Sequence, residues 1–407
     1  MFSATVRTLV AAALVASTGA AAGAAALDTG FGFHSSDIRG YILHNGRAIG
    51  VGSAANRARG LRRLLPQVFV NPHHPLYVAD PAMNAIVLFN KDVAGTQTPS
   101  AMLSGASTGL DGPIAVSSGY DQPCTAYATP SATTCTNYIW VANQLNDSIT
   151  VYGGTAVGQY PLNSSIQAPS FTFQTSTSCT PQLTAPTGIS HVDPVLPNTT
   201  GYLVISDAAA NDLQLYEPFG PPILCPDSSY TDGRFGGPAG VSFEYQLPKP
   251  EFYNANMLFS TVIATQYIDN AFDNGTGTYI PATVGSIWAP GPGAGVVGVT
   301  IDSTKPGGGW IWVTSDANTP YAIDALWLCT VNEFKHTGAN TCPTGAAIFT
   351  GLSTPGLPRV AGLDHRIYVP NEGNGTVTAY KQVPGSSPVT TYVNLGVPTG
   401  VGVEGEF

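Results

Sequence analysis

The chain carries a repeated pattern of two short apolar segments separated by a polar turn. Residues 76–90, LYVADPAMNAIVLFN, show the pattern most clearly. Apolar positions alternate in 76–79 and again in 86–89, which suits two half-buried strands. The turn between them starts at Asp80 and holds Asn84, and such side chains bond their own backbone and close tight connections. The pattern therefore predicts a strand, a turn and a second strand.

The same unit returns three times with no gap inside it. The polar residue that opens the turn is Asp80, Asn143, Asp207 or Asn371 in the successive copies. Degraded copies are read at 262–272 (VIATQYIDNAF) and 310–318 (WIWVTSDAN). Apolar runs opened by Gly or Pro mark the same period, at 111–116, 185–190, 237–243, 295–301 and 397–403. Self-similarity built from strands alone predicts radial repetition, with one sheet of about four strands per period.

The two motifs together carry a family resemblance. A P-x-G-[IV] strand followed by [YW]-V-[AS]-[DN]-x3-[ND]-x-[IVL]-x-[LV]-[FY] resembles the NHL-type and related six-bladed β-propellers over about residues 66–403. The resemblance implies an all-β propeller with four-stranded antiparallel blades, and it implies no particular activity. Blades are expected at about 66–110, 111–184, 185–236, 237–294, 295–354 and 355–403.

The last apolar run has no blade left to follow it. We expect residues 397–403 to close the ring by pairing with the first blade, because a circular array of sheets must join its ends or expose edges. The alternative is a seventh blade, completed by strands from 31–49.

The start of the chain differs from the repeats. Arg7, the apolar residues 9–16 and the small residues 24–26 have the order of a signal peptide, predicted at 1–26. No later stretch reaches the 18 apolar residues of a membrane span. We therefore expect a secreted protein, extracellular or periplasmic, with no membrane span. Residues 27–65 hold six of the fifteen Lys and Arg residues and are interpreted as a basic linker, a short helix or a pro-segment before a propeller at 66–407.

Six cysteines follow the predicted signal peptide and fit an oxidising compartment. Cys124 and Cys135 bracket one loop and Cys329 and Cys342 another, so each pair is expected to bond locally. Cys179 and Cys225 would then link adjacent blades, although six cysteines allow about 15 connectivities.

Charge is distributed unevenly along the chain. Residues 66–407 hold 23 Asp and Glu against 8 Lys and Arg, a balance of −15. This balance argues against nucleic acid and other anionic partners and permits cations, basic peptides or neutral glycans. The sequence contains no GxSxG elbow and no Walker motif.

Polar residues just after the second strand of each blade form the first candidate site. They would gather at one end of the central channel, where they could bind a cation, a sugar or a peptide. The alternative is that they cap turns by accepting backbone N–H groups. The set comprises Asp80, Asn143, Asp207, Asp316 and Asn371.

Histidines form a second candidate site, at the opposite rim. His73, His191 and His365 each fall between the first and second strands of a blade, and three His can hold a catalytic Zn²⁺. The alternative is that they are surface histidines. A bound Ca²⁺ or Zn²⁺ is the cofactor that the two candidate sites would allow.

These features favour a binding scaffold that presents a loop-rich face to an extracellular protein, peptide or glycan. Insertions at 117–137, 190–201 and 220–236 would shape that face. The alternative is a propeller enzyme, a lactonase, hydrolase or lyase, with a metal or carboxylate site in the channel. An enzyme needs one blade that departs from the others, and the fourth, with Gln266 and Asp269 in place of the regular turn, departs most.

Overall fold

A computed structural model describes most of the repeats. The described residues are 41–44, 47–50, 75–120, 137–153, 162, 164–174, 179, 182–192, 202–216, 225–226, 228–231, 237–244, 251–256, 261–267, 281–288, 295–302, 305, 309–316, 324–330, 347–361 and 365–403. The predicted signal peptide, most of the basic segment 27–65 and most of the three predicted insertions lie outside them. Within these ranges, the only helical element is a single 3-10 turn at Ala106–Thr108.

The first strands form a separate hairpin and the first blade. Strands β1 (Tyr41–His44) and β2 (Arg47–Gly50) pair with each other. Blade 1 contains β3 (Pro75–Asp80), β4 (Ala85–Asn90) and β6 (Ala101–Ser104), while the short β5 (Gly95–Gln97) leaves this sheet.

The next three blades follow in chain order, each a four-stranded antiparallel sheet. Blade 2 consists of β7 (Pro113–Tyr120), β8 (Asn137–Asn143), β9 (Ser148–Gly153) and β10 (Phe171–Gln174). Blade 3 consists of β11 (Pro186–Val192), β12 (Tyr202–Asp207), β13 (Asp212–Tyr216) and β14 (Ser228–Thr231). Blade 4 consists of β15 (Pro238–Glu244), β16 (Glu251–Asn256), β17 (Thr261–Tyr267) and β18 (Pro281–Trp288).

The last two sheets complete the array. Blade 5 consists of β19 (Gly295–Asp302), β20 (Trp310–Asp316), β21 (Ala325–Thr330) and β22 (Ala347–Thr350). Blade 6 consists of β23 (Arg359–Ala361), β24 (Arg366–Asn371), β25 (Thr376–Lys381) and β26 (Pro388–Tyr392). The final strand, β27 (Gly400–Val403), returns to blade 1.

Two strand exchanges join the ends of the array. β27 pairs antiparallel with β3 as the innermost strand of blade 1, which confirms the predicted closure by residues 397–403. In addition, β5 from blade 1 pairs parallel with β26 and becomes a fifth strand of blade 6. Nothing in the sequence predicts this second exchange, because the three residues of β5 (GTQ) carry no apolar pattern.

The innermost strands β27, β7, β11, β15, β19 and β23 contact one another in that order around an axis. The predicted all-β propeller class is therefore confirmed. Five sheets have the expected four strands, and the sheet called blade 6 has five. In the described part of the chain β1 and β2 pair only with each other, so they add no strand to a seventh blade.

The strands of the repeated unit are buried on both faces. Leu76 and Val78 pack toward blade 6, whereas Tyr77 and Ala79 on the same strand pack toward blade 2, and all four are fully buried. The prediction of half-buried strands is wrong here, because each blade is sandwiched between two neighbours. The apolar residues are therefore continuous along the strand.

Blade 4 also departs from the prediction. Gln266 lies in β17, the third strand of its sheet, where it is paired with Glu251, and Asp269 lies outside the described residues. The second strand is β16, whose last residue, Asn256, pairs with Pro238 just as Asp207 pairs with Pro186. The predicted unit at 262–272 therefore lies one strand too late in the chain. The reason is that β17 is more apolar than β16 and fits the apolar pattern of the repeated unit better.

Candidate functional site

The predicted polar residues occupy equivalent places in the propeller. Each is the last residue of the second strand of its blade, at what we call the turn end, where that strand turns back into the third. The side chain of Asp316 lies outside the described part of the chain. The strand pairing adds Asn256 at the same place in blade 4, a member that the sequence reasoning missed. The letters YNAN at 253–256, five residues before β17, were the signal for it.

Asp80 holds the chain that leads into the closing strand. Its fully buried carboxylate accepts hydrogen bonds from the backbone N–H groups of Gly396 at 2.6 Å and Val397 at 3.1 Å, just before β27. It also accepts one from Met83 N at 3.1 Å, within its own turn. Burial raises the pKa of Asp80, and these backbone donors oppose the rise.

Asp207 makes the same connection in blade 3 with more donors. Its carboxylate accepts from Thr184 N at 2.6 Å and Ala185 N at 3.1 Å, directly before β11. It also accepts from Ala209 N at 3.0 Å and Ala210 N at 2.9 Å in the turn. Burial raises the pKa of Asp207 while the backbone donors lower it.

The two described asparagines anchor their own blades in the same way. Asn143 Oδ1 accepts from Asp111 N at 3.1 Å, ahead of β7, and Asn371 Oδ1 accepts from Ser353 N at 3.3 Å, ahead of β23. Each amide also donates to a threonine of the third strand, Thr150 at 3.0 Å and Thr378 at 3.1 Å.

A second residue in some of these turns reaches the following blade. Asn84 and Asn211 have positive φ values of 51° and 57°, a conformation that Asn tolerates better than most residues. Asn84 Oδ1 accepts from Gly112 N at 2.8 Å, ahead of β7, and Asn211 Oδ1 accepts from Gly237 N at 3.0 Å, ahead of β15. The turn end is therefore held together by side chains that bind backbone donors within and between blades. That the polar ring also binds a ligand stays a prediction.

Blade 3 differs from its neighbours by a second carboxyl group. Asp212, the first residue of β13, is paired in register with Asp207, and blade 2 has Ser148 at that place. Asp212 is only 1% exposed, and burial together with the negative charge of Asp207 raises its pKa to about 8. Gln214 Nε2 donates to Asp212 Oδ1 at 3.1 Å, and Tyr216 Oη donates to Gln214 Oε1. Blade 3 therefore holds two adjacent buried carboxyl groups, and burial raises the pKa of both.

The axis of the propeller is nearly filled. Backbones of neighbouring inner strands touch, so a Cβ built on Gly188 would lie 2.7 Å from Ala239 O and one on Gly298 would lie 2.4 Å from Pro358 Cδ. Threonine hydroxyl groups also join successive blades by donating to backbone oxygens. Thr187 donates to Pro238 O at 2.6 Å, Thr399 to Ile114 O at 2.7 Å, and Thr314 to Gly356 O at 2.8 Å.

Blade 6 contributes the side chains that cross this axis. Leu357 precedes β23 where blades 3, 4 and 5 have glycine, and its Cδ2 would lie 3.1 Å from a Cβ on Gly240. Arg359, buried at 8% exposure, donates from Nη2 to Ile189 O at 2.6 Å on blade 3, three places away around the ring. The cavity that remains beside them has a volume of about 10 Å³, close to the least that one water molecule needs.

The predicted histidines have different surroundings. His191 is buried at 4% exposure and stacks on Trp140, with ring centroids 4.1 Å apart, between blades 2 and 3. His365 is exposed on blade 6, with Nδ1 3.4 Å from Lys305 Nζ. His73 lies outside the described residues. Among the described residues no three His, Cys, Asp or Glu side chains group as metal ligands do.

One predicted disulfide is described completely. Cys179, which follows blade 2, bonds Cys225 of blade 3, with Cα atoms 5.2 Å apart. This confirms the predicted pair. Cys329 is disulfide-bonded as well, while Cys342, Cys124 and Cys135 lie outside the described residues. No helix in the described ranges has the length and apolar character needed to cross a membrane.

Comparison with known proteins yields similarity at a low level. No protein-family model matches the chain, and no curated protein matches it either. A candidate 6-phosphogluconolactonase of Bacteroides uniformis is 13% identical, with a TM-score of 0.45 over 81% of this chain and 99% of its own. A second one, of Bacteroides fragilis, is also 13% identical, with a TM-score of 0.43 over 81% of this chain and 97% of its own. A protein of Lactobacillus plantarum is 12% identical, with a TM-score of 0.44 over 81% of this chain and 98% of its own. Similarity at this level transfers no activity to this chain.

Proposed function

We propose that this chain is an extracellular binding scaffold, a propeller that holds a partner on an end face and not inside its channel. The observation that carries this proposal is the filled axis. Leu357 and Arg359 occupy the channel, and the space beside them is about 10 Å³, too small for a substrate. A ligand therefore has the two ends of the ring and their loops available to it.

The turn end is the less suitable of the two ends. The oxygens of Asp80 and Asp207 each accept several backbone N–H groups, so a ligand there would have to displace bonds that hold the blades together. At the opposite end, which we call the loop end, each first strand runs into a connection of variable length. The Cys179–Cys225 disulfide supports an oxidising setting for such a scaffold.

The experiment uses the purified mature chain on arrays of glycans and peptides, together with a panel of lactones and esters. Leu357→Ala enlarges the channel, and Arg359→Lys removes the contact across the axis while keeping the charge. We expect a ligand on the arrays whose affinity is the same for the wild type and for both variants once each is shown to be folded. Turnover of a lactone or ester that either variant abolishes would overturn the proposal.

A second candidate function, an acid–base enzyme, is favoured by the carboxyl pair of blade 3. A carboxyl group whose pKa is raised to about 8, beside a second buried carboxyl group, has the form of a catalytic pair, and such shifts gather at functional sites. We rank it second because Asp212 is 1% exposed and out of reach of a substrate as the blade stands. In the same panel, turnover that is lost in Asp212→Asn without a loss of melting temperature would place this function first.

A further inference from the structure

The loop end of blades 5 and 6 gathers basic side chains in an otherwise acidic protein. The propeller region 66–407 has only 8 Lys and Arg residues against 23 Asp and Glu. The structure describes five of the eight, and all of them lie on blade 5, blade 6 or the adjoining part of blade 1: Lys91, Lys305, Arg359, Arg366 and Lys381. The charge balance of the whole chain therefore does not represent this surface.

Three of these side chains form one continuous group with His365, which we call the basic patch: Lys305, His365, Arg366 and Lys381. Lys305 Nζ lies 3.4 Å from His365 Nδ1, across the boundary between blades 5 and 6. Arg366 follows His365 in the chain, and it is the register partner of Lys381 on the neighbouring strand. His365 and Lys381 are exposed, and Arg366 is half-buried.

The arrangement opposes what the fold alone would favour. Like charges placed directly opposite each other on neighbouring strands are destabilising, and Arg366 and Lys381 are such a pair. Arg366 is held in place by donating from Nη1 to the backbone oxygen of Lys91 at 2.7 Å. In the part of the chain that the structure describes, Lys381 has no ion-pair partner, and Lys305 is paired with the buried Asp302 at 3.6 Å. Lys381 therefore presents its positive charge at the surface of the patch.

An aromatic ring borders the patch. Trp310 opens β20 at the same end of blade 5, its side chain is half-buried, and Lys305 Nζ lies 5.7 Å from the centre of its ring. Cations beside an aromatic ring suit a sugar that carries a carboxylate or sulfate group. A peptide would depend more on apolar side chains seated in pockets. Because the patch spans two blades, a polymer with an anionic group on each sugar can contact several of its cations at once.

We propose that the basic patch is the docking site for an acidic polysaccharide, carboxylated or sulfated, at the loop end of blades 5 and 6. This proposal rests on the proposed scaffold function and names the partner class for it. It differs from the prediction made from net charge, which argued against anionic partners, because burial and topology place the few basic residues together.

The test measures the dissociation constant of the purified mature chain for heparin and for polygalacturonate at graded salt concentrations. We expect binding to at least one of the two that weakens as salt rises, because the contacts are exposed charges. Lys381→Gln should weaken it about two- to fivefold, the equivalent of one exposed ion pair, and Lys381→Glu should weaken it further. His365→Asn should weaken binding as well, and asparagine is chosen because it tolerates the φ of 51° at this position.

The matched control is Lys249→Gln, which removes the same charge from the connection between β15 and β16 in blade 4. Its affinity should equal that of the wild type. The proposal is overturned if neither polysaccharide binds, or if Lys249→Gln weakens binding as much as Lys381→Gln does.

Two further probes separate the partner classes. The first probe is polyglutamate, and the second is a vesicle rich in anionic phospholipid. If either binds more tightly than both polysaccharides and shows the same dependence on Lys381, the polysaccharide proposal is overturned. The partner is then an acidic peptide in the first case and a membrane in the second. An array ligand that binds Lys381→Glu as well as it binds the wild type would overturn the patch and leave the scaffold standing. If the protein binds nothing on the arrays and none of these probes, both proposals are overturned.

Discussion

The carboxylate of Asp80 accepts a hydrogen bond of 2.6 Å from the backbone N–H of Gly396, 316 residues further along the chain. This contact fixes the segment that leads into β27, and β27 completes blade 1. One side chain in the first repeat therefore helps to close the ring at its last strand.

Replacing Asp80 with Ala should destabilise the protein severely. The change leaves the N–H groups of Met83, Gly396 and Val397 without this acceptor, and each buried donor left unsatisfied is costly. We expect a loss of about 2–4 kcal/mol in the free energy of unfolding, measured by urea denaturation at neutral pH. Asp80→Asn keeps one oxygen acceptor and should lose less. Equal stability of Asp80→Ala and the wild type would contradict the anchoring role.

Asp212 should make the protein less stable as pH rises. Its pKa is raised from the ordinary value of 3.8 to about 8 in the folded protein, so the folded state binds more protons than the unfolded state between these values. Its contribution is fully present below pH 3.8 and is lost as pH rises through about 8, by roughly 6 kcal/mol in all.

Asp212→Asn and Asp212→Ser remove this titration, and the serine copies Ser148 of blade 2. Melting temperatures measured from pH 5 to pH 9 should fall less steeply in both variants than in the wild type. The same slope in all three proteins would show that Asp212 does not titrate with a raised pKa.

The inner strands should not tolerate a side chain where they touch. In Gly188→Ala the new Cβ would lie 2.6 Å from Ser206 Oγ and 2.7 Å from Ala239 O, so neighbouring backbones must separate. We expect a loss of about 1–3 kcal/mol in the free energy of unfolding. The control is Ala115→Gly, which changes the corresponding residue of blade 2 in the opposite direction and should cost no more than about 1 kcal/mol. Equal costs for the two changes would argue against tight packing at the axis.

The Cys179–Cys225 disulfide should contribute strongly to stability. The two residues are 46 positions apart, and closing a loop of that length in the unfolded chain is worth about 4 kcal/mol. The Cys179→Ser/Cys225→Ser double variant should lose about that amount in chemical denaturation. Cys225→Ser alone should expose one titratable thiol on unfolding. Two additional thiols, or none, would contradict the pairing.

The sequence by itself determined the propeller class, the repeating unit and the way the ring closes. These follow from local chemistry: short apolar strands, a turn opened by Asp or Asn, and a Gly-containing first strand that recurs at a regular period. The strand pairing of β27 with β3 was also predictable, because a closed array must pair its last strand with its first blade. The Cys179–Cys225 bond followed only from the expectation that the other four cysteines pair locally. The sequence also contains the signal for Asn256 at the end of β16, but the more apolar β17 fits the pattern of the repeated unit better.

Tertiary structure decided what the polar residues do. Asp80 and Asp207 point into backbone segments that are distant in sequence, and no local pattern can specify which N–H groups come to meet them. The same holds for Asp212, whose pKa depends on burial and on a carboxylate of the neighbouring strand. Lys305 and His365 lie 60 residues apart in the chain and meet only because blade 5 packs on blade 6. A net charge summed over the sequence loses that information, because electrostatic effects depend on distance and burial and not on composition.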